Sequence, residues 1–273
     1  MALALYKQII DDYHLDTLDE VITALNNDIS EAVLSKNLVA RFDYNNALMY
    51  IAAKTIVVSN EVLILVAAGR PMGAMGLCRN LYEQLIHLLF FEYMRDDNQF
   101  DSIIHNYFIN AQRSSAKTRA QIAEMWKDKE SGEETHEEVL TVQAAKDKKT
   151  RGDYWWANKS SFGALAKWTR EHEKAMSIYD LLVWCHAAYL EASTILHSSS
   201  RGNTHGILQN SKSGSVIDTM PTIEVGKSLL FFTSCTIGIV GTVCSQFGIA
   251  GEEYLRKLKG LALQYQSKTS AQS

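Results

Sequence analysis

Two prolines in a chain of 273 residues, Pro71 and Pro221, constrain the fold more than any other feature. Proline removes a backbone donor and blocks the helix interior, so a chain almost free of it can sustain long helices. The segments before, between and after the prolines carry the matching periodicity. Residues 4–28 place Leu15, Leu18, Val21, Ile22 and Leu25 at helical spacing, as an amphipathic helix requires. A second run from about Ser30 to Val66 is predicted, with Asp28 or Ser30 as its cap and a possible break at 42–46. The Gly69–Gly73 stretch, GRPMG, reads as a turn. Helices are further predicted over Ala74–Met94, about 102–128, from Ser160, over Ile178–His197, and as one helix or a pair over 224–264.

These elements predict an all-α protein, a single multi-helix bundle over residues 1–266 with a disordered tail at 267–273. Residues 127–153 are the most hydrophilic part and are expected to form a polar helical or loop excursion. Residues 198–214, rich in Ser, Gly and Asn, read as a loop. No internal repeat is evident.

The net charge of −4 gives no global basic field, so duplex DNA is not an expected partner. Cys78, Cys185, Cys235 and Cys244 stand in apolar surroundings without a C-x-x-C pair. They read as buried free thiols of a cytoplasmic protein. The stretch 229–250 is the most membrane-like, but Thr233, Ser234, Thr236, Thr242, Ser245 and Gln246 interrupt it. A buried core helix is expected there rather than a membrane span.

Three constellations could carry chemistry. Arg79, Glu83 and His87 follow at steps of four, so they drift only about 80° around one helix. Leu77, Leu81, Leu85, Leu88, Leu89, Phe90 and Phe91 make that helix central. Charges there must be paired or line a cavity. A structural buried pair, a functional site and a plain exposed surface pair all stay open.

Tyr189, Ser193 and His197 repeat the four-residue step at the end of another helix. His197 is either a C-terminal cap or a general acid–base group. Arg201 and His205 lie close enough in sequence to contact an anionic substrate. The third constellation, RGDYWW, holds Arg151, Trp155 and Trp156. Such interleaving of cations and aromatics can stack bases, or it can dock a loop onto the bundle.

No Gly-rich phosphate loop, H-E-x-x-H or G-x-S-x-G occurs, and no metal or other cofactor is expected.

The A-x-x-L-x-R-x-L-x-E run of Ala74–Glu83, the Tyr154–Trp156 region and the Y-x-x-x-S-x-x-x-H run ending at His197 resemble an uncharacterised bacterial helical domain family of unknown function. That family is in turn distantly similar to HEPN-type helical bundles. The resemblance implies a bacterial defence or stress effector, a metal-independent ribonuclease or RNA-binding protein acting as a homodimer. HEPN nucleases separate an Arg from a His by four to six intervening residues. Here His87 stands eight positions after Arg79, and Arg201 and His205 are separated by three residues. The implied catalytic set is His197, Arg79, Glu83 and His87, with Tyr189, Arg201, His205, Arg151 and Trp155 as binding residues. The alternative expectation is a non-catalytic module that senses a small anionic ligand or a protein partner.

Overall fold

The computed structural model describes residues 2–35, 43–111, 154–196, 207–210, 214–217 and 222–272. The fold is all-α. Its helices are α1 (Ala2–Asp12), α2 (Leu15–Ser35), α3 (Tyr44–Ala67) and α4 (Pro71–Met94), followed by α5, described over residues 100–111. A 3-10 turn (Trp155–Ala157) precedes α6 (Phe162–His172), α7 (Met176–Leu196), α8 (Thr222–Phe247) and α9 (Glu252–Gln272). The polar excursion at 127–153 lies outside the described residues.

Local chemistry explains where the helices start and stop. Residues 4–28 do not form one helix, because His14 takes a left-handed φ of 50° and separates α1 from α2. Asp28 and Ser30, read as caps, lie inside α2. Asp28 instead accepts a hydrogen bond from the Tyr254 hydroxyl at 2.6 Å. The true cap is Asp43, whose Oδ1 accepts from the Asn46 amide at 2.9 Å and opens α3. Gly69, at φ 66°, ends α3 with the paired bonds Arg70 N to Leu65 O and Gly69 N to Val66 O. Pro71 then starts α4, where a missing N–H costs nothing. The helix expected from Ser160 is capped one residue later, by Ser161, whose Oγ accepts from the Ala164 amide at 3.2 Å at the start of α6.

Two local expectations change. Ile207–Asn210 and Gly214–Ile217 pair as a short antiparallel hairpin where a loop was expected. Ile207, Leu208, Val216 and Ile217 supply strand-favouring residues at its outer ends. The helix expected to end near residue 264 runs on to Gln272. Lys268 reaches the Asp12 carbonyl at the end of α1 and packs over the Tyr13 ring, which holds this last segment helical.

The chain divides into two compact units. The first comprises Met1–Leu38, Leu48–Leu88 and Glu173–Ser273. Its core buries Leu18, Val21, Ile22 and Leu25 of α2, Leu81, Tyr82 and Leu85 of α4, and Phe231, Phe232 and Cys235 of α8. Gly238 lets α8 approach α4: a Cβ there would stand 2.6 Å from Leu85 Cδ1. The second unit comprises Val39–Ala47 and Leu89–His172. It is built on aromatic packing, with Trp156 5.0 Å from Tyr107, 5.8 Å from Phe90 and 5.7 Å from Phe91 between ring centres.

Among the described residues two helical stretches, Tyr44–Ala67 and Val225–Phe247, are long and apolar enough to cross a membrane, with 50% and 67% of their apolar windows buried in the protein. Several buried hydroxyls within both are satisfied along the helix itself. Thr55, Ser59, Thr233 and Thr236 each donate to the carbonyl four residues back, at 2.7–2.9 Å. All four cysteines are buried and free.

Candidate functional site

The site lies in the first unit, where α3, α4 and α7 contribute polar side chains to an otherwise apolar interior. Arg79 and Glu83 face the same way because they are one turn apart, and Nε stands 3.3 Å from Oε1. Their side chains keep 26% and 21% exposure, so the pair is neither sealed nor freely solvated. Tyr189 of α7 donates its hydroxyl to Glu83 Oε1 at 3.4 Å, while the Arg79 guanidinium lies 5.2 Å above its ring.

His186, one turn before Tyr189, stacks on that ring at 5.9 Å and 12°. Its Nδ1 meets the Tyr82 hydroxyl at 3.3 Å. Tyr82 is fully buried and packs 5.5 Å from Tyr189 and 6.3 Å from Phe231. Arg79, Tyr82, Glu83, His186 and Tyr189 thus form one continuous cluster.

Burial raises the Glu83 pKa above the usual carboxylate value, and the charges of Arg79 and Lys54 oppose that rise without cancelling it. Glu83 is therefore easier to protonate than a surface glutamate, even beside two cations. Lys54, on α3, also acts on His87. Burial first, and the Lys54 charge second, lower the His87 pKa to about 3. An imidazole so buried stays neutral near pH 7 and is removed from general-acid work.

Of the predicted residues, Arg79, Glu83 and Tyr189 converge. His87 continues the same helix as a core histidine. Trp155 belongs to the second unit, where its indole N–H donates to Asn110 Oδ1 at 3.1 Å and neighbouring Trp156 is buried. That use fits loop docking better than base stacking. His197, Arg201, His205 and Arg151 lie outside the described residues. Lys54, Tyr82 and His186 were not foreseen. The i, i+3 step from His186 to Tyr189 was legible; Lys54 carried no signal, because it joins from another helix.

Among the described residues no group of three or more His, Cys, Asp and Glu side chains could hold a metal ion. The fold and cluster define an all-helical protein with a half-buried Arg79–Glu83 ion pair between its helices. The chain belongs to a family of unknown function (DUF5677), which it matches over residues 45–215, a span that includes every member of the cluster. No curated protein and no solved structure matches it.

Proposed function

We propose that this protein is a non-catalytic helical module that binds a small anionic ligand at the Arg79 cluster. The observation that carries the proposal is the charge balance of the site. Two cations, Lys54 and Arg79, act on a single carboxylate whose own ionisation is disfavoured by burial. An arriving phosphate or carboxylate replaces part of Glu83's hold on the guanidinium and gains charge-assisted hydrogen bonds. Tyr189 and His186 add polar groups beside the pair. The net charge of −4 favours a small anion over a nucleic acid.

Inorganic phosphate and adenosine monophosphate are suitable probes. Binding to the folded state is expected to raise the melting temperature of the wild-type chain in proportion to ligand concentration, and Arg79→Gln is expected to abolish the rise. No rise with either probe, together with an Arg79→Gln that only lowers the melting temperature, would reduce the Arg79–Glu83 pair to a structural one.

One observation favours a second reading. Tyr189, which touches Glu83, begins the stripe that continues through Ser193 to His197. In a HEPN-like defence ribonuclease, His197 would move the proton of the ribose hydroxyl while Arg79 stabilises the phosphorane. Such an enzyme would act as a homodimer and without metal. Incubation with total RNA, with and without chelator, tests this. Absence of cleavage, or cleavage unchanged in His197→Ala, would remove the reading. Either proposal locates the protein in the cytoplasm, without a membrane span.

A further inference from the structure

Helix α3 is apolar on two sides. Leu48, Ile51, Val58 and Val62 pack into the core of the first unit. On the opposite side Tyr50, Val57 and Ile64 stand 49%, 57% and 67% exposed. These three recur at steps of seven, and such a step drifts only about 20° around a helix. They therefore form one stripe, about 21 Å long at the helical rise. A seven-residue apolar repeat is the spacing at which two helices pack along a common seam. Large apolar side chains held in water along such a seam mark an interaction surface.

The flanks of the stripe differ. On one side lie Ala53 and Asn60, both exposed, and their short side chains let a second helix approach. On the other lie Lys54, half-buried, and Glu61, exposed. Lys54 and Glu61 are two turns apart, beyond the one-turn step at which side chains of one helix pair. Their signs select the direction of any helix that repeats this face. In a parallel pair each charge faces its own kind. In an antiparallel pair about a two-fold axis, each flank meets the same flank of the other helix running the opposite way. An axis at the middle of the stripe, between Val57 and Val58, sets Lys54 opposite the partner's Glu61 twice over. Val57 then lies at the centre, and Tyr50 packs beside the partner's Ile64.

We propose that the outer face of α3 is a self-pairing surface, on which a second copy of this chain docks through its own α3 in antiparallel register. The face is complementary to itself in shape and in charge. The exposed stripe on α7, formed by Met176, Val183 and Leu190, is a poorer match, because α7 contains no lysine or arginine to answer Glu61. A lipid surface is poorer still, since Lys54, Glu61 and Asn60 would enter hydrocarbon. One helix pair is at the small end of stable interfaces, so the dimer is concentration-dependent. The charge of Lys54 also acts on Glu83, but the stripe and Glu61 stand outside the Arg79 cluster. The proposal therefore rests neither on anion binding there nor on the ribonuclease reading, whose His197 takes no part.

Sedimentation velocity of the full chain over a concentration series tests it, and a monomer–dimer equilibrium is expected. Val57→Lys, at an exposed position, is expected to stay monomeric at every concentration with a melting temperature near that of the wild-type monomer. Glu61→Lys makes both charge pairs repulsive and is expected to weaken dimerisation about ten-fold. Lys54→Glu is expected to do the same. A mixture of Lys54→Glu chains with Glu61→Lys chains is expected to form a mixed dimer tighter than either variant alone, because all four charges then meet opposites. Crosslinking with a short bis-maleimide reads the direction, against native cysteines that are all buried. Tyr50→Cys chains are expected to crosslink to Ile64→Cys chains and not to one another. If Lys54→Glu fails to fold, Val57→Lys and the cysteine variants still decide. A wild type that stays monomeric throughout overturns the proposal, and so does a dimer that Val57→Lys and Glu61→Lys leave intact. Tyr50→Cys chains that crosslink among themselves overturn the antiparallel register. A monomer that floats with phosphatidylcholine vesicles assigns the face to lipid and overturns the proposal as well.

Discussion

His87 shows how far a side chain's surroundings can move it from its ordinary chemistry. Its sequence position, two turns after Arg79, suggested an acid–base role, yet it is buried and holds a pKa of about 3 against an ordinary 6.5. The unfolded chain therefore takes up this proton first as pH falls. The stability His87 contributes is fully present above pH 6.5 and is lost as pH drops from there toward 3. Urea unfolding across that range should show a wild-type stability that declines more steeply than that of His87→Leu. Glu83 acts in the opposite sense, because its folded pKa is raised, but equally in both proteins, so the difference isolates His87. Asp43 gives a second residue-level expectation. Its carboxylate caps α3 through the Asn46 amide, and Asp43→Ala should cost roughly 1 kcal/mol, with Asp43→Asn losing much less. Equilibrium denaturation distinguishes them.

At the scale of elements, α8 decides most of the packing in the first unit. Its glycines are not equivalent. A Cβ at Gly238 meets Leu85 Cδ1 at 2.6 Å, whereas one at Gly241 meets only Leu255, at an ordinary 3.9 Å. Leu85 is buried and has nowhere to retreat. Gly238→Val should therefore destabilise by about 1–3 kcal/mol through overpacking. Gly241→Ala should be neutral or gain up to roughly 1 kcal/mol from helix propensity. Chemical denaturation of the pair reads the difference directly, and equal effects would contradict the close α4–α8 approach. The helices themselves were largely legible. The leucine and valine periodicity of α2, the GRPMG turn and the start of α6 within a residue of Ser160 all follow from residues near in sequence. The misread cap at Asp28 shows where such reading ends: its carboxylate is bound by Tyr254, more than two hundred residues away.

For the molecule as a whole, α3 and α8 pose one question with a simple measurement. Both include stretches that pass as membrane spans by length and composition, yet half or more of each apolar window is covered by the protein. If both serve as core helices, the expressed chain should stay in the supernatant after cell lysis and a high-salt spin. Retention in the membrane pellet after the wash would contradict that use.

The sequence by itself determined the helical class, through its two prolines and the spacing of its apolar residues, and it put Arg79 and Glu83 within reach of each other, because residues four apart on one helix are neighbours in any fold. Only the tertiary structure decided what surrounds that pair. Lys54 and His186 come from facing helices, His87 turns into the core, and Trp155 serves a separate unit. The reason is physical. Helical periodicity fixes which face a residue occupies, but the partner of that face, and with it the burial and charge that set a group's chemistry, is supplied by chain far away in sequence.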